Sequence, residues 1–213
     1  MNWLSQLLSP RSEPAGLERL QREAITKWRA LPPADLGKTH FETRYVVINT
    51  EASGLNADTD TVLSVGAIAL DAGTLVAEDS YHASLTPDPV TALVNLLTFS
   101  RNGPVVVYNA GLNRRMLERM FETHLGFTPD WIWLDLYWLL PALFHEHFAA
   151  PRRLADWMQC FGIETFQRHH ALGDAYAIAQ VMLATEAHAL RRGLPSPRSL
   201  TELERNRRKL SGR

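Results

Sequence analysis

Apolar residues gather in short β-branched runs through the first half of the chain and recur at helical spacing through the second. Tyr45, Val46, Val47 and Ile48 form an unbroken apolar run, too short for a free-standing helix and suited to a central strand covered on both faces. The run changes character at once into Asn49-Thr50-Glu51-Ala52-Ser53-Gly54, where Asn49 and Glu51, two apart, project to one face of the strand. Two readings fit that pair: polar groups solvating a strand end, or chemistry placed where α/β proteins keep it. A turn is expected at Asp58 to Asp60. Val62, Leu63, Val65, Ile68 and Leu70 predict a second strand, and Asp71-Ala72-Gly73 a hairpin into a third, from Leu75 to about Leu85. A helix then starts at Pro87 to Pro89 and carries Val90, Leu93, Val94, Leu96 and Leu97. Gly103-Pro104 ends it before a strand at Val105 to Tyr108.

The next helix has Met116, Leu117, Met120 and Phe121 on one face. Trp131 to Leu134 predicts a fifth strand, leading through Asp135 into a helix that reaches about His147. Further helices are expected at Arg152 to Phe161 and Leu172 to Arg192. A three-strand meander followed by alternating strands and helices indicates an α/β fold: a mixed five-stranded sheet flanked by helices on both sides. Residues 1–40 read as a helical appendage. Trp3, Leu4, Leu7 and Leu8 suggest a first short helix; Leu17, Leu20, Ile25 and Trp28 suggest a second, ended by Leu31-Pro32-Pro33. These helices are expected to pack back on the main domain, residues 41–192, with docking to a protein partner or to a membrane surface as the other reading.

Composition narrows the class. The 213 residues are 46% hydrophobic and 21% charged, as in a soluble globular protein. A net charge of −1 gives no global attraction to nucleic acid, so any such binding requires a local patch. Residues 191–213 hold eight Lys or Arg against Glu202 and Glu204, net +6, leaving −7 on the remainder. Such a basic tail, 193–213, can hold phosphates by releasing counterions, yet it reads first as a solvated, partly disordered end. The single Cys160 excludes an internal disulfide framework and fits a reducing, cytoplasmic compartment. No apolar run is long enough to span a membrane, and no signal peptide is expected.

Three segments place polar, metal-competent side chains at strand ends or a helix start: NTEASGL (49–55), YNAGLN (108–113) and HHALGDA (169–175). Together they resemble the DEDDh 3′–5′ exonucleases, the proofreading (DNA polymerase III epsilon-like) family with a ribonuclease-H-like fold. Those enzymes carry D-x-E-T-T-G-L, H-N-A-x-F-D and H-x-A-L-x-D-A in that order. The resemblance covers about Phe41 to Leu190 and implies a magnesium- or manganese-dependent nuclease acting on nucleic-acid 3′ ends, DNA or RNA. It implies His169 as general base, Glu51 and Asp174 as metal ligands, and Asn49 and Asn113 at the family's two other carboxylate positions. Thr50, Ser53, Gly54, Leu55 and Asn109 would contact the substrate.

Two-metal phosphodiester hydrolysis needs carboxylates holding cations about 3.5–4 Å apart, and hard cations bind a neutral amide carbonyl far less well than a carboxylate. With Asn at two of four positions, weakened binding is expected at the first metal and little occupancy at the second, with a rate loss of about 10³-fold or more. Tyr108 for His and Leu112 for Phe depart in the same direction. Two functions follow: an exonuclease with an impaired metal site, or a catalytically silent pseudoenzyme that keeps the groove for a nucleic-acid end or a protein. Other signals are bland. His145-Glu146-His147 lacks zinc-motif spacing, Trp131, Trp133, Trp138 and Trp157 read as core more than as base-stacking platforms, and Cys160 reads as a packed thiol.

Overall fold

The computed structural model describes residues 17–165 and 170–212. Its centre is a five-stranded sheet in the order β3-β2-β1-β4-β5. The strands are β1 (Tyr45–Ala52), β2 (Val62–Asp71), β3 (Thr74–Ser84), β4 (Val105–Val107) and β5 (Trp133–Asp135). β1 pairs antiparallel with β2 and parallel with β4, so the meander and the crossover half meet on it. The apolar run predicts this central place: Tyr45 through Ile48 are fully buried because both faces are covered. The sheet is mixed and flanked by helices, as the alternation of elements implies.

Helix α1 (Arg19–Arg29), α2 (Pro89–Ser100) and α3 (Ala110–Leu125) cover one face, over a core that joins Val46 and Ile48 to Leu93, Leu97, Leu117 and Phe121. Helices α4 (Leu136–Leu143), α5 (Leu154–Phe161), α6 (Ala171–Arg191) and α7 (Pro197–Ser211) cover the other, where Tyr45 and Val47 meet Leu139, Trp157, Ile178 and Met182. α1 does pack back on the domain: Ile25 and Trp28 are buried, and the Trp28 indole donates to the Arg101 carbonyl at 2.8 Å. Leu20, counted on its apolar face, instead stands 66% exposed. The stripe at Trp3 to Leu8 lies outside the described residues. Among the described residues no helix is long and apolar enough to cross a membrane.

Three expectations are corrected. The basic C-terminal segment is not a solvated tail through residue 211 but helix α7. Ser196 caps it, Pro197 starts it, and Leu200 is fully buried in the α6-side core. Its basic content hid an apolar face that Leu200 and Leu203 share at helical spacing. The helix after β5 stops at Leu143, with Pro141 inside it, so His145 to His147 form an exposed turn and not a helix end. Cys160 is only partly covered and lines a surface cleft. Of the tryptophans, Trp131 and Trp157 are core, whereas Trp133 and Trp138 are partly exposed beneath Arg114 and Arg208.

Candidate nuclease-like site

The register of β1 fixes which side chains face the site. Tyr45 and Val47 oppose Leu70 and Ile68 of β2 and lie under α6; two and four residues on, Asn49 and Glu51 oppose Gly66 and Ser64 and rise on the same face. Gly66 admits α6 to this spot. A Cβ there would lie 2.3 Å from the Ala171 carbonyl carbon and the Leu172 nitrogen, so only glycine lets the helix start so close to the sheet. Asp174 sits in that first turn, its amide donating to the His170 carbonyl at 2.9 Å. A carboxylate is favoured there by the helix N-terminus as well. Asn49, Glu51 and Asp174 are thus carried to one end of the sheet. His169 lies outside the described residues.

Asn113 reaches the same end from α3 but on other terms. Thr50 alternates to the opposite face of β1, and its amide and hydroxyl both donate to Asn113 Oδ1, at 2.9 and 2.8 Å. Asn113 Nδ2 in turn donates to the Tyr108 carbonyl at 2.9 Å, and the side chain is buried. Both lone pairs of the amide oxygen are therefore engaged within the protein. Asn49 differs: its side chain makes no hydrogen bond among the described residues and is only half-buried. Thr50 and Tyr108 thus latch the Asn113 side chain in place. Among the described residues no group of three or more Asp, Glu, His or Cys is placed to hold a metal ion. Glu51 and Asp174 are the anionic side chains at this end of the sheet.

The loop after β1 carries the expected substrate contacts. Asp60 organises it, accepting from the Asn56 amide at 2.7 Å and the Ser53 hydroxyl at 3.3 Å. At Gly54 a Cβ would come 2.4 Å from Asp60 Oδ2, so any larger residue would displace that carboxylate. Arg119 of α3 donates to the carbonyls of Asp58 and Asp60 and ties the loop to the helix. Leu55 projects from it 85% exposed. Asn109 adopts φ 64°, ψ 72°, a left-handed conformation that asparagine tolerates better than most residues. Its amide and that of Ala110 donate to the two oxygens of Asp135 at 2.9 Å each.

Two contributors were missed in the sequence. Asp135, 1% exposed, bridges the starts of α3 and α4 and accepts from Arg208 at 3.0 Å. Burial pushes its carboxyl up, while those amides and Arg208 pull it back. Its position before a helix was visible; its reach to a second helix was not. His82 of β3 lies opposite Gly66, and its ring stacks on His170 with centroids 4.5 Å apart. Burial, and then His170, hold His82 below its usual pKa. Only its place in the strand alternation hinted at that. A cleft of about 990 Å³ opens beside Asn109, walled by Tyr108, Tyr137, Phe148 and Arg152. Tyr108, at the family's His position, is buried there and donates to the Arg152 carbonyl at 2.5 Å.

No family model matches the chain. It is 24% identical over 162 residues to a PolC-type DNA polymerase III from Thermotoga petrophila, and 23% identical over 168 residues to that of Thermotoga maritima. These matches take in 65% and 68% of the chain but only 12% of each polymerase. In structure it is similar to exonuclease I, with a TM-score of 0.51 at 17% identity over 74% of this chain. Escherichia coli exonuclease I in complex with a dT13 oligonucleotide gives 0.52 at 17% identity over 70%. The chain spans 42% of the exonuclease I chain. Strand order and helix placement agree with that likeness, which shows a ribonuclease-H-like fold: a mixed five-stranded sheet flanked by helices.

Proposed function

We propose that this chain receives the 3′ end of a nucleic-acid strand in a pocket built like that of a 3′–5′ exonuclease and hydrolyses it slowly. Residues 41–192 carry the pocket in this reading, and Glu51 and Asp174 supply its negative charge, with the Asn49 carbonyl beside them. His169 would take a proton from water. Thr50, Ser53, Gly54, Leu55 and Asn109 line the approach, Leu55 as an exposed apolar tip on which a terminal base can rest. A divalent cation bound to Glu51 and Asp174 would polarise a phosphodiester oxygen. The observation that carries the reading of low activity is the Asn113 latch, because its amide oxygen is held by Thr50 and its nitrogen by Tyr108. A cytoplasmic setting agrees with the lone, unpaired Cys160.

A second reading rests on the same latch: a catalytically silent relative that binds 3′ ends without cutting them. Two measurements decide between them. Titration with Mn²⁺ in a calorimeter is expected to show at most one site. Incubation of purified protein with a 5′-labelled oligonucleotide is expected to show slow, metal-dependent loss of 3′ residues that vanishes in Glu51→Gln. Product formation equal in wild type and Glu51→Gln leaves the silent relative standing; turnover with two tightly bound Mn²⁺ ions defeats the account of the pocket.

A further inference from the structure

On the other flank of the α3 N-terminus from the 990 Å³ cleft lies a second one of about 700 Å³, at the β5 edge of the sheet. Its walls are two helices, each presenting positions about one turn apart: Arg114, Arg115 and Glu118 from α3, and Thr201, Arg205 and Arg208 from α7. Trp133 forms part of the floor, with the Arg114 guanidinium over its ring at 5.8 Å. We propose that this cleft holds the sugar-phosphate backbone of a single nucleic-acid strand whose 3′ end occupies the nuclease-like pocket. The inference rests on the 3′-end reading above and adds to it a path for the rest of the strand.

The four arginines are not equivalent. Arg208 is fixed, bridging the buried Asp135 at 3.0 Å and Glu204 at 2.8 Å, and serves as scaffold. Arg114 and Arg115 pair with Glu118 at 2.7 Å and Asp58 at 2.9 Å, with side chains 30–64% exposed on both sides of each pair. Exposed pairs of this kind contribute only about 0–1 kcal/mol, so either arginine can exchange its carboxylate for a phosphate at little cost. Arg205 is exposed and has no partner among the described residues. Against Glu118 and Glu204, which also line the cleft, the four arginines leave it a net +2 in a chain of net charge −1.

Continuity selects nucleic acid over an acidic peptide. Asn109 lines the cleft beside the pocket, Ala110 and Gly111 line the arginine cleft, and Asn113 two residues on contacts Thr50 at the pocket itself. A polymer crossing the exposed first turn of α3 therefore passes from one to the other. Gly111 leaves that crossing low, because a Cβ there would meet only Asn109 Oδ1, at 3.4 Å. Trp133 offers a stacking face for a base, which an acidic peptide would not need.

The test is fluorescence anisotropy in EDTA, with oligothymidylate of about 12 nucleotides as the long probe and a labelled dinucleotide as one too short to leave the pocket. Arg205→Glu, which breaks no intramolecular bond, and Arg114→Gln are compared with wild type. Each is expected to weaken the long probe about tenfold and to lower the slope of log K against log salt by roughly one, while the dinucleotide binds as before. Unchanged affinity and salt slope for the long probe in both variants would overturn the path and leave the 3′-end reading intact. Failure of wild type to bind either probe removes that reading, and the path with it. A glutamate-rich peptide that binds more tightly than the oligonucleotide, and is lost in Arg205→Glu, would assign the cleft to a protein partner instead.

Discussion

Replacing Asn113 by Asp would place there the carboxylate that the resemblance to DEDDh exonucleases implies, yet the structure predicts that it destabilises the protein. The amide nitrogen donates to the Tyr108 carbonyl at 2.9 Å in a site 5% exposed. A carboxylate there loses that bond and sets a charged oxygen against a carbonyl oxygen, a burial class that costs about 3–5 kcal/mol. The Thr50 amide and hydroxyl become charge-assisted donors, which returns about 1–2 kcal/mol. The net loss is about 1–4 kcal/mol at pH 8, and for a chain of this size that lowers Tm by roughly 2–16 °C. The sign with pH follows. The new carboxyl is held protonated in the folded state above its unfolded pKa, and once protonated it donates to Tyr108 again. The loss therefore shrinks as pH falls: Asn113→Asp should regain part of it by pH 5 and all of it only below the unfolded carboxyl pKa of about 3.9. Urea denaturation at pH 5 and pH 8 in EDTA measures this directly. An Asn113→Asp variant as stable as wild type at pH 8 would mean that the amide does not hold the Tyr108 carbonyl, and the explanation of low activity would fail with it.

Further outcomes are expected elsewhere. Asn49→Asp should be tolerated within about 1 kcal/mol, since that side chain breaks no hydrogen bond, and it should raise Mn²⁺ affinity more than Asn113→Asp does, read by calorimetry. Gly66→Ala should cost about 3 kcal/mol or more, because the obstacle at 2.3 Å is α6 backbone, and it should abolish Mn²⁺ binding as α6 lifts; an unaffected melt and unaffected titration would contradict the close approach. Glu186 is 5% exposed and burial pushes its pKa from 4.5 up to about 7. The folded state keeps that proton across the window, so stability falls as pH rises from about 4.5 to 7, by roughly 3 kcal/mol in all. Glu186→Gln should remove that slope and be the more stable protein at pH 8. Buried His40 acts oppositely, its lowered pKa costing stability as pH drops below 6.5, so it remains in both proteins compared.

The sheet was readable because its strands carry their own boundaries. The 45–48 run, the Asp71-Ala72-Gly73 hairpin and Gly103-Pro104 each bear a local signal, and β1, β2, β3 and β4 fall where those signals put them. What was not readable depends on contacts distant in sequence. α7 looked like a charged tail since its arginines outnumber its leucines, yet burial of Leu200 and pairing of Arg208 with Asp135, 73 residues away, decide its state. Gly66 reads as one glycine in a strand; its purpose appears only with α6 laid across it.

The two asparagines show the same limit from the side of the site. In the sequence they are alike, each standing where the resemblance puts an Asp. In the fold, alternation along β1 sends Asn49 to the α6 face, while Thr50 turns the other way and meets Asn113. Asn49, half-buried and with no side-chain hydrogen bond among the described residues, stands in a permissive position. Asn113 is bonded through both its oxygen and its nitrogen, and the second bond is one that an ionised carboxylate cannot make. Recovering nuclease activity is then a question of order: Asn49→Asp first, and Asn113→Asp only together with a change that moves the Tyr108 carbonyl away. Mg²⁺-dependent shortening of a 3′ end should rise above the wild-type rate with Asn49→Asp alone and fail to increase with Asn113→Asp alone. The reverse order of gains would show that the second position, latched or not, is the one that limits the chemistry.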